Sequence, residues 1–486
     1  MTPLGPFRGI DRRPGAADSP GALYDALNTI VSSEGGLVRR PAATVRATLP
    51  ADSIGIYSVG DQLRTLAPYQ AGDETEANAL APTCYVDFIT DQGKALSALL
   101  GQVSASDGRT LALLRYADES TDMHFCPDFN TAPAAQTRLD GLGFTPNYSL
   151  IQAAGRAFVL DNNLRYLRFS NLDSANPALL ADFLSNQDLT SGSGFLEVSQ
   201  FAAGAGQPLG LGIFGGQIVV FYRGAMLIYR IDVDQSRYFL SQVVKGPGTQ
   251  APRSVVELGS DTIFLSDPGV RVLSDVSVSL DARTSAFGGH VDPLAMELAD
   301  NINVTPIGHY ARRLGCYLLA FGQDVLCLSV LPGSAVLGWT RWRLPVPVEG
   351  WAEAGGLTWF RSGRTLYALE DGEDRDETAL GVYADIPVFG ESLPYRSGTQ
   401  QLCQAVASAC TEPLQVQVVA DGRPVVAPGG GLTGMPMTLP PRAPEPSRAL
   451  SGKMGRMFSL RFYDPAAVAG WRLDNLWIDV TATRAS

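Results

Sequence analysis

Side chains that commonly carry chemistry are scarce in this sequence of 486 residues. Three histidines are present, His124, His290 and His309, and none has a second histidine or a cysteine at the spacing of metal ligands. The cysteines form no Cys-x-x-Cys pair, so we expect no bound metal and no cofactor. Scattered thiols of this kind indicate folding in a reducing compartment. The cysteines are Cys84, Cys126, Cys316, Cys327, Cys403 and Cys410.

Long apolar runs and basic blocks are also missing. No window approaches 18 uninterrupted apolar residues, and the first residues lack the charged and apolar regions of a signal peptide, so we expect no membrane segment. The 37 Lys and Arg against 49 Asp and Glu give a net charge of −12. Tight binding of nucleic acid by counterion release needs the opposite sign. Such a surface instead suits DNA that slides past without sticking.

Charged residues make up only 18% of the chain, whereas hydrophobic residues make up 45%. Interface cores are depleted of charge, so this surplus is consistent with surface that is buried against other subunits. A general bias toward alanine and glycine explains it equally well.

The most frequent pattern in the sequence is a short run of Val, Ile, Leu, Phe and Tyr, separated from the next run by Gly, Pro and Asp. Between Ile213 and Leu273 six such runs predict strands, and their connections are too short for the crossovers of a parallel sheet. This stretch therefore predicts antiparallel meanders. The predicted strands are residues 217–222, 225–231, 237–244, 254–258, 262–265 and 270–273.

The same alternation of short apolar runs and turn residues begins at about Ser53 and continues for more than roughly three hundred residues. Several segments share one shape, a strand, a polar turn and a second strand, as at residues 155–161 and 363–370. That recurrence is typical of hairpins in propeller blades, although no strict WD40 or kelch period is present.

We therefore predict an all-β fold, a β-propeller body with an N-terminal arm, small helical insertions and a C-terminal β domain. The arm, residues 1–48, is predicted to contain a short helix, because Ser19 can cap it, Pro20 suits its first turn, and Leu23, Leu27 and Ile30 follow at helical spacing. The propeller covers residues 49–388, with helices near 292–298 and 176–183. Residues 389–486 form the β-sandwich-like C-terminal domain.

Two motifs were weighed for chemistry and set aside. Residues 210–215 match G-x-G-x-x-G, but a strand-like segment follows where dinucleotide binding needs a helix, so a glycine-rich start of a strand is favoured. The acidic residues 370–377 lack the order of a Ca²⁺ loop and indicate a solvated loop. Without a nucleophile elbow or another catalytic constellation, we expect no enzyme.

Arginine pairs recur and are the candidate docking residues for a partner. Their planar guanidinium groups suit carboxylates of a neighbouring subunit or phosphates, while salt bridges within the chain explain them as well. We expect Arg39→Glu together with Arg40→Glu to impair assembly more than folding. The pairs are Arg12 and Arg13, Arg39 and Arg40, and Arg312 and Arg313.

Three passages resemble the tail nozzle proteins of short-tailed bacteriophages, also called tail tubular protein B or tail stabilisation proteins. The first is Phe7-Arg8-Gly9-Ile10-Asp11 with Ala26-Leu27-Asn28 and Glu34-Gly35-Gly36-Leu37-Val38-Arg39-Arg40-Pro41. The second is Phe221-Tyr222-Arg223-Gly224-Ala225-Met226-Leu227 with Gly246-Pro247-Gly248-Thr249 and Ile263-Phe264-Leu265-Ser266-Asp267-Pro268-Gly269-Val270-Arg271. The third is Trp471-Arg472-Leu473 with Ile478-Asp479-Val480.

The resemblance implies a structural virion protein, a homohexameric ring of propeller-bearing subunits at the distal end of the tail. Such a ring lies below an adaptor ring, offers docking sites to tail fibres or spikes, and gates the channel through which genomic DNA leaves. It further implies location in the virion tail after synthesis in the host cytoplasm. The resemblance assigns none of the family's gate loops to residues of this sequence.

Two alternatives remain open from the sequence. A soluble propeller enzyme or carbohydrate-binding module would use the tryptophans Trp339, Trp342, Trp351 and Trp359, which otherwise belong to the core or to a subunit contact. A fibre or baseplate component of another type of phage tail is the second alternative.

Overall fold

The fold is described from a computed structural model. It describes residues 2–3, 7–13, 22–23, 25–32, 34–69, 80, 83–89, 94–105, 107–126, 134–161, 165–172, 180–183, 192–201, 204–246, 248–274, 288–300, 305–330, 337–370, 382–387, 398–406, 414–420, 423–424, 434–437, 458–464, 472–473 and 475–482.

The N-terminal arm consists of strands where it is described, and the predicted short helix is wrong. Leu23, Leu27 and Ile30 have helical spacing but lie in three separate strands, each paired with another part of the chain. The arm strands are β1 (Thr2–Pro3), β2 (Gly9–Ile10), β3 (Ala22–Leu23), β4 (Asp25–Leu27), β5 (Thr29–Val31), β6 (Leu37–Arg39) and β7 (Ala42–Thr48).

Seven blades follow in the described residues between 54 and 370, each given from its innermost strand outward. The outer strands of blades one and two pair with each other, so these two blades form one seven-stranded sheet. Blade one has β8 (Ile54–Val59), β9 (Gln62–Pro68) and β10 (Tyr85–Ile89), and blade two has β11 (Leu96–Ser104), β12 (Thr110–Tyr116), β13 (Thr121–Cys126) and β14 (Ala134–Arg138). Blade three has β15 (Pro146–Ala153), β16 (Arg156–Asp161), β17 (Tyr166–Phe169) and β18 (Gly194–Glu197), and blade four has β19 (Pro208–Phe214), β20 (Gln217–Tyr222), β21 (Ala225–Arg230) and β22 (Phe239–Lys245).

The remaining blades repeat the pattern. Blade five has β23 (Val256–Leu258), β24 (Asp261–Ser266) and β25 (Gly269–Val272), and blade six has β26 (Ile307–Ala311), β27 (Cys316–Phe321), β28 (Asp324–Val330) and β29 (Leu337–Arg343). Blade seven has β30 (Gly350–Ala354), β31 (Leu357–Ser362) and β32 (Thr365–Glu370). The antiparallel meanders predicted between residues 213 and 273 are confirmed in blades four and five.

The innermost strands stand side by side in a closed circle. Along the chain each lies next to the innermost strand of the following blade, and β30 of blade seven lies next to β8 of blade one. The predicted all-β propeller is therefore the fold of the chain, and the described residues give it seven blades.

Apolar clusters fill every gap between neighbouring blades. Seven separate clusters of buried residues each combine side chains of two successive blades, including one shared by blades seven and one. In β20, Ile218, Val220 and Tyr222 pack toward blade three, while Val219 and Phe221 pack toward blade five. Because alternate side chains face opposite sides of a strand, a blade buried on both faces needs an uninterrupted apolar run.

Strand β7 closes the circle from the other end of the sequence. It pairs antiparallel with β32 from Ala42↔Glu370 to Thr48↔Thr365 and forms the outer strand of blade seven. The Thr44 hydroxyl also donates to the backbone oxygen of Ala368 at 3.2 Å. The first and last parts of the propeller are thus joined in one sheet.

Strand β4 joins blade six to the C-terminal strands. It runs parallel to β29 and antiparallel to β33 (Val382–Pro387). The predicted domain boundary at residue 388 assigns β33 to the propeller. Strand β33 also pairs antiparallel with β38, in the same sheet as blade six. The C-terminal strands are β34 (Gly398–Val406), β35 (Leu414–Ala420), β36 (Arg423–Pro424), β37 (Gly434–Met437), β38 (Phe458–Asp464), β39 (Arg472–Leu473) and β40 (Asn475–Ala482).

Helices are short in the described residues. The helix predicted near 292–298 is confirmed as α1 (Asp292–Asp300), while most of the predicted helix at 176–183 lies outside the described residues. Single turns of 3₁₀ helix occur at Ser199–Phe201, Gln235–Arg237 and Pro252–Ser254.

Candidate functional site

The circle of innermost strands encloses a cavity of about 840 Å³ on the propeller axis. All seven blades contribute to its wall, through Ile56, Gln102, Ile151, Leu211, Glu257, His309 and Trp351 among others. We call this cavity the axial channel. The fold places it there because each blade presents its first strand to the axis.

Small residues allow the innermost strands to approach one another. A Cβ atom on Gly212 would lie 2.9 Å from Val255 Cγ1, and one on Gly308 would lie 2.6 Å from the Ser254 backbone oxygen. The G-x-G-x-x-G match at residues 210–215 therefore reflects packing around the axis, as the strand interpretation predicted.

His309 and Trp351 form a stacked pair in the channel wall. Their ring centroids are 5.9 Å apart with an interplanar angle of 12°. His309 Nε2 and Trp351 Nε1 are both enclosed without a hydrogen-bond partner among the described residues. Burial, together with the positive charge of Arg312, lowers the pKa of His309 to about 4. The imidazole is therefore neutral at pH 7.

One end of the channel, which we call the carboxylate mouth, carries Asp61, Glu257, Glu353, Arg312 and Arg313. The backbone N–H of Arg312 donates to Glu353 Oε1 at 2.6 Å, and the backbone N–H of Gly355 donates to Asp61 Oδ1 at 2.7 Å. Burial raises the pKa of the Glu257 carboxyl, and the charge of Arg312 opposes that shift. The carboxylates thus hold the ends of neighbouring innermost strands together.

At the opposite end, which we call the arginine mouth, Arg253 lines the channel, and the charged groups of Arg115, Arg361 and Glu349 are near enough to act on it. Arg253 Nη2 donates to the backbone oxygen of Glu349 at 2.8 Å. Arg361 Nη2 lies 3.7 Å from Glu349 Oε2. Burial, followed by the positive charge of Arg115, lowers the pKa of Arg253. The two mouths therefore differ in the sign of their charge.

The predicted docking residues Arg12 and Arg13 pair within their own chain. Arg13 binds Asp11 through Nε at 2.9 Å and Nη2 at 2.6 Å, and Arg12 Nη2 lies 3.6 Å from Asp25 Oδ2. Burial acts to raise the pKa of Asp11, but hydrogen bonds from Arg13 and His290 outweigh it and hold that pKa below its ordinary value. These arginines help to fix the arm.

Arg40 does not fit the docking prediction, because it is completely buried. Its Nε donates to Asn28 Oδ1 at 2.9 Å, and its two Nη groups donate to the backbone oxygens of Pro41 at 2.7 Å and Arg343 at 3.0 Å. Within the Arg39→Glu and Arg40→Glu pair, Arg40→Glu is therefore expected to impair folding as well as assembly. A carboxylate there would face carbonyl oxygens inside the fold. Arg39 is half-buried in β6.

Arg312 and Arg313 are the predicted arginines that reach the axial channel. The Arg312 side chain is 84% exposed, with Nε 4.0 Å from Glu353 Oε2, and Arg313 Nη1 donates to the Gly356 backbone oxygen at 3.0 Å. The six predicted arginines are thus divided between the arm and the channel and do not form one site.

All four tryptophans belong to the buried core, and Trp351 also contributes to the channel wall. Trp342 Nε1 donates to Thr29 O at 2.8 Å, Trp359 Nε1 donates to Ala354 O at 2.9 Å, and Trp339 is 3% exposed. His124 is also a core residue, hydrogen-bonded to Tyr116 at 2.9 Å.

A surface on the outer side of blades three and four carries a feature that was not predicted from the sequence, with Phe195 and Phe239 on the outer strands β18 and β22. Phe195, Val233 and Phe239 are 54%, 57% and 50% exposed. Arg168 lies over the Phe195 ring at 5.2 Å and Arg230 lies over the Phe239 ring at 5.9 Å. We call these five residues the arginine–aromatic edge. Exposed aromatic and arginine side chains are enriched in protein interfaces.

The strand pairing and the axial channel define this chain as a seven-bladed β-propeller closed by an N-terminal strand. No protein-family model matches the chain, and no curated protein matches it. Within the described residues, no group of three or more His, Cys, Asp or Glu side chains is placed to hold a metal ion. Likewise, none of the helices described is long and apolar enough to cross a membrane.

Two solved structures are distantly similar to this chain. The WD40 domain of coronin from Toxoplasma gondii is 7% identical, with a TM-score of 0.36, and the match covers 76% of this chain and 83% of that domain. The WD40 domain of Pan2 from Neurospora crassa is 8% identical, with a TM-score of 0.29, and the match covers 58% of this chain and 97% of that domain. The strand pairing of this chain, rather than these distant likenesses, defines it as a propeller.

Proposed function

We propose that the chain is a structural virion protein that forms the distal nozzle ring of a phage tail. In that role it is a subunit of a homohexamer, contacts an adaptor ring and fibres or spikes, and surrounds a gated conduit for genome ejection. The proposal places it in the tail of the virion after synthesis in the host cytoplasm, without enzymatic activity.

The arginine–aromatic edge is the observation that carries the proposal. Exposed Phe195 and Phe239 are framed by guanidinium groups, a composition that favours binding to another protein surface over solvation. In a propeller of seven blades, this edge lies across the axis from blade seven. The side chain of Val45 on the outer strand of blade seven is 47% exposed. Apolar side chains on two opposite edges suit a heterologous contact, in which one edge of a subunit meets the other edge of the next.

Two glycines in the passages that carry the family resemblance lie where the backbone conformation and the neighbouring atoms exclude a side chain. Gly9 has a φ of +81°, and a Cβ there would lie 2.3 Å from the Trp339 backbone nitrogen. Gly269 has a φ of +124°, and its Cβ would overlap Asp292. Only glycine meets both requirements. These motifs therefore support a shared architecture and place no chemistry at a site.

The carbohydrate-binding alternative depends on exposed tryptophans. Because Trp339, Trp342 and Trp359 are buried, they offer no face on which a sugar can stack. The structural role is the better-supported proposal.

Imaging tests the proposal directly. Purified protein at high concentration, and tails isolated from virions, are expected to show rings of six-fold symmetry in averaged electron micrographs. A protein that stays monomeric at high concentration and contributes no ring to isolated tails would overturn it. A chain found in fibres or a baseplate instead would assign it to another tail component.

A further inference from the structure

The arginine mouth contains more positive charge than its own contacts neutralise. Its three guanidinium groups, those of Arg115, Arg253 and Arg361, are accompanied by two carboxylates, because Arg115 Nη1 lies 3.4 Å from Glu119 Oε2 and Arg361 pairs with Glu349. Arg361 Nη2 is 3.7 Å from Glu349 Oε2, whereas Arg253 contacts the backbone oxygen of Glu349. The cluster therefore holds an excess of cationic groups in a chain whose net charge is −12.

Hydrogen-bond donors in this cluster also exceed the acceptors. Arg115 Nε is enclosed without a partner in the described residues. Arg253 has a single acceptor there, the Glu349 backbone oxygen, for the five N–H donors of its guanidinium. Arg361 Nε donates to the Gly363 backbone oxygen at 2.7 Å, and its side chain is 13% exposed. Donors of Arg253 are consequently left for a ligand in the channel.

Electrostatics favours a negatively charged ligand at this position. Burial is the first cause of the lowered pKa of Arg253, and the charges of Arg115 and Arg361 add to it, while Glu349 opposes it. An anion beside Arg253 would reverse the effect of its two cationic neighbours. Guanidinium groups bind carboxylates and phosphates through paired hydrogen bonds, which gives the geometry as well as the charge.

The size of the cavity limits the ligand. The axial channel holds about 840 Å³, within the range of pockets for small molecules. We propose that the arginine mouth binds the oxyanion group, phosphate or carboxylate, of a small multivalent anion whose remainder extends into the channel toward His309 and Trp351. This inference goes beyond the proposed ring and does not depend on it.

Titration with inorganic phosphate and with citrate tests this site, using the full-length protein at constant ionic strength set with sodium chloride. Calorimetry is expected to show saturable binding of at least one of the two anions, and thermal unfolding is expected to shift upward with it. A preference between the two separates a phosphate site from a carboxylate site. A shift that sodium chloride reproduces, or heat that does not saturate, would overturn the proposal.

Three variants locate the binding. Arg253→Gln is expected to weaken it at least about tenfold, because a charge-assisted pair is lost. Arg115→Gln tests the same mouth at a side chain that is 40% exposed and less important for folding. Arg237→Gln, which removes the same charge from a side chain 70% exposed on blade four, is the matched control and should bind as wild type.

If Arg253→Gln and Arg115→Gln both bound the anion as tightly as the wild-type protein does, the anion would have to bind elsewhere. Binding of a single-stranded oligonucleotide without binding of either small anion would assign the arginines to nucleic acid and reject the small-molecule site. The oligomeric state is measured in the same samples. Anion binding by a monomer therefore contradicts only the ring, and a ring without anion binding contradicts only this site.

Discussion

Arg40 places a permanent positive charge in the protein interior, where its guanidinium connects three parts of the chain. It bonds Asn28 in the arm, Pro41 beside it and Arg343 at the end of β29. Buried charges are tolerated when their donors are satisfied, and removing such a group leaves its acceptors without partners. Arg40 is thus a link between the arm and blade six.

Arg40→Met is expected to lower the free energy of unfolding by about 2–4 kcal/mol, since several charge-assisted hydrogen bonds are lost. Urea denaturation measures the change. Arg39→Gln, at the half-buried neighbouring residue, serves as the control and should cost less than about 1 kcal/mol. If Arg40→Met were as stable as wild type yet failed to assemble, the docking role would be restored.

Arginine pairs show why contacts of single residues could not be predicted from the sequence. Neighbouring side chains in extended backbone point in opposite directions, so two adjacent arginines seldom share a partner. Arg13 turns to Asp11 while Arg12 turns to Asp25. The sequence identifies a pair of cations, but which carboxylate each of them meets depends on how the arm folds.

At the scale of elements, β7 determines whether blade seven is complete. It supplies the outer strand from the opposite end of the sequence, with Thr44 paired to Ala368. Alternate residues of an outer antiparallel strand donate to its neighbour, so two consecutive prolines remove at least one bond of the ladder.

Thr44→Pro combined with Val45→Pro is therefore expected to destabilise the protein by about 2 kcal/mol or more and to expose β32 to hydrogen exchange. Exchange measured by mass spectrometry on peptides covering Thr365–Glu370 reports the opening. Val45→Thr, which keeps a β-branched residue, is the control and should protect those peptides as wild type does. Unchanged protection in the double proline variant would mean that β7 does not hold the blade closed.

Strand prediction succeeded for several middle strands and missed some of the strands at the axis. Strand β20 is a continuous apolar run and matches its predicted bounds, residues 217–222. The innermost strands β11, β26 and β30 were not predicted, because crowding at the axis favours small residues such as Gly308 and Ala352 over Val and Ile. The axial channel could not be predicted from the sequence, because its wall includes these unpredicted strands.

The prediction of a short helix in the N-terminal arm was wrong for a different reason. Leu23, Leu27 and Ile30 have helical spacing, yet Leu23 pairs with β2, Leu27 with blade six and β33, and Ile30 with β6. This pairing provides hydrogen bonds that an isolated short helix cannot match. A local pattern does not reveal partners that lie more than 300 residues away.

At the scale of the whole molecule, the arginine–aromatic edge and Val45 lie on opposite sides of the propeller. If they meet in a ring, each subunit uses two different surfaces, and a lesion on one surface leaves the other intact. This property distinguishes a heterologous contact from a symmetric dimer.

Phe195→Ser combined with Phe239→Ser is expected to prevent ring formation and yield monomers, because the exposed aromatic area is lost. Val45→Asp should do the same from the opposite edge. When the two variants are mixed, each retains one intact surface, so light scattering should detect a dimer and nothing larger. Rings formed by either variant alone would exclude these edges from the contact.

The closure by β7 has a consequence for the nascent chain on the ribosome. Thr44 and the Ala368 oxygen that it contacts are 324 residues apart in sequence. At about 5–20 residues per second, roughly 15–65 s of translation separates the synthesis of β7 from that of its partner. During this interval β7 has unpaired backbone groups at both edges, a state in which strands associate with other chains. Synthesis of many copies together therefore favours β7 pairing with the β32 strand of another chain, and the charged pair formed by Arg46 and Glu370 is placed to favour the correct register.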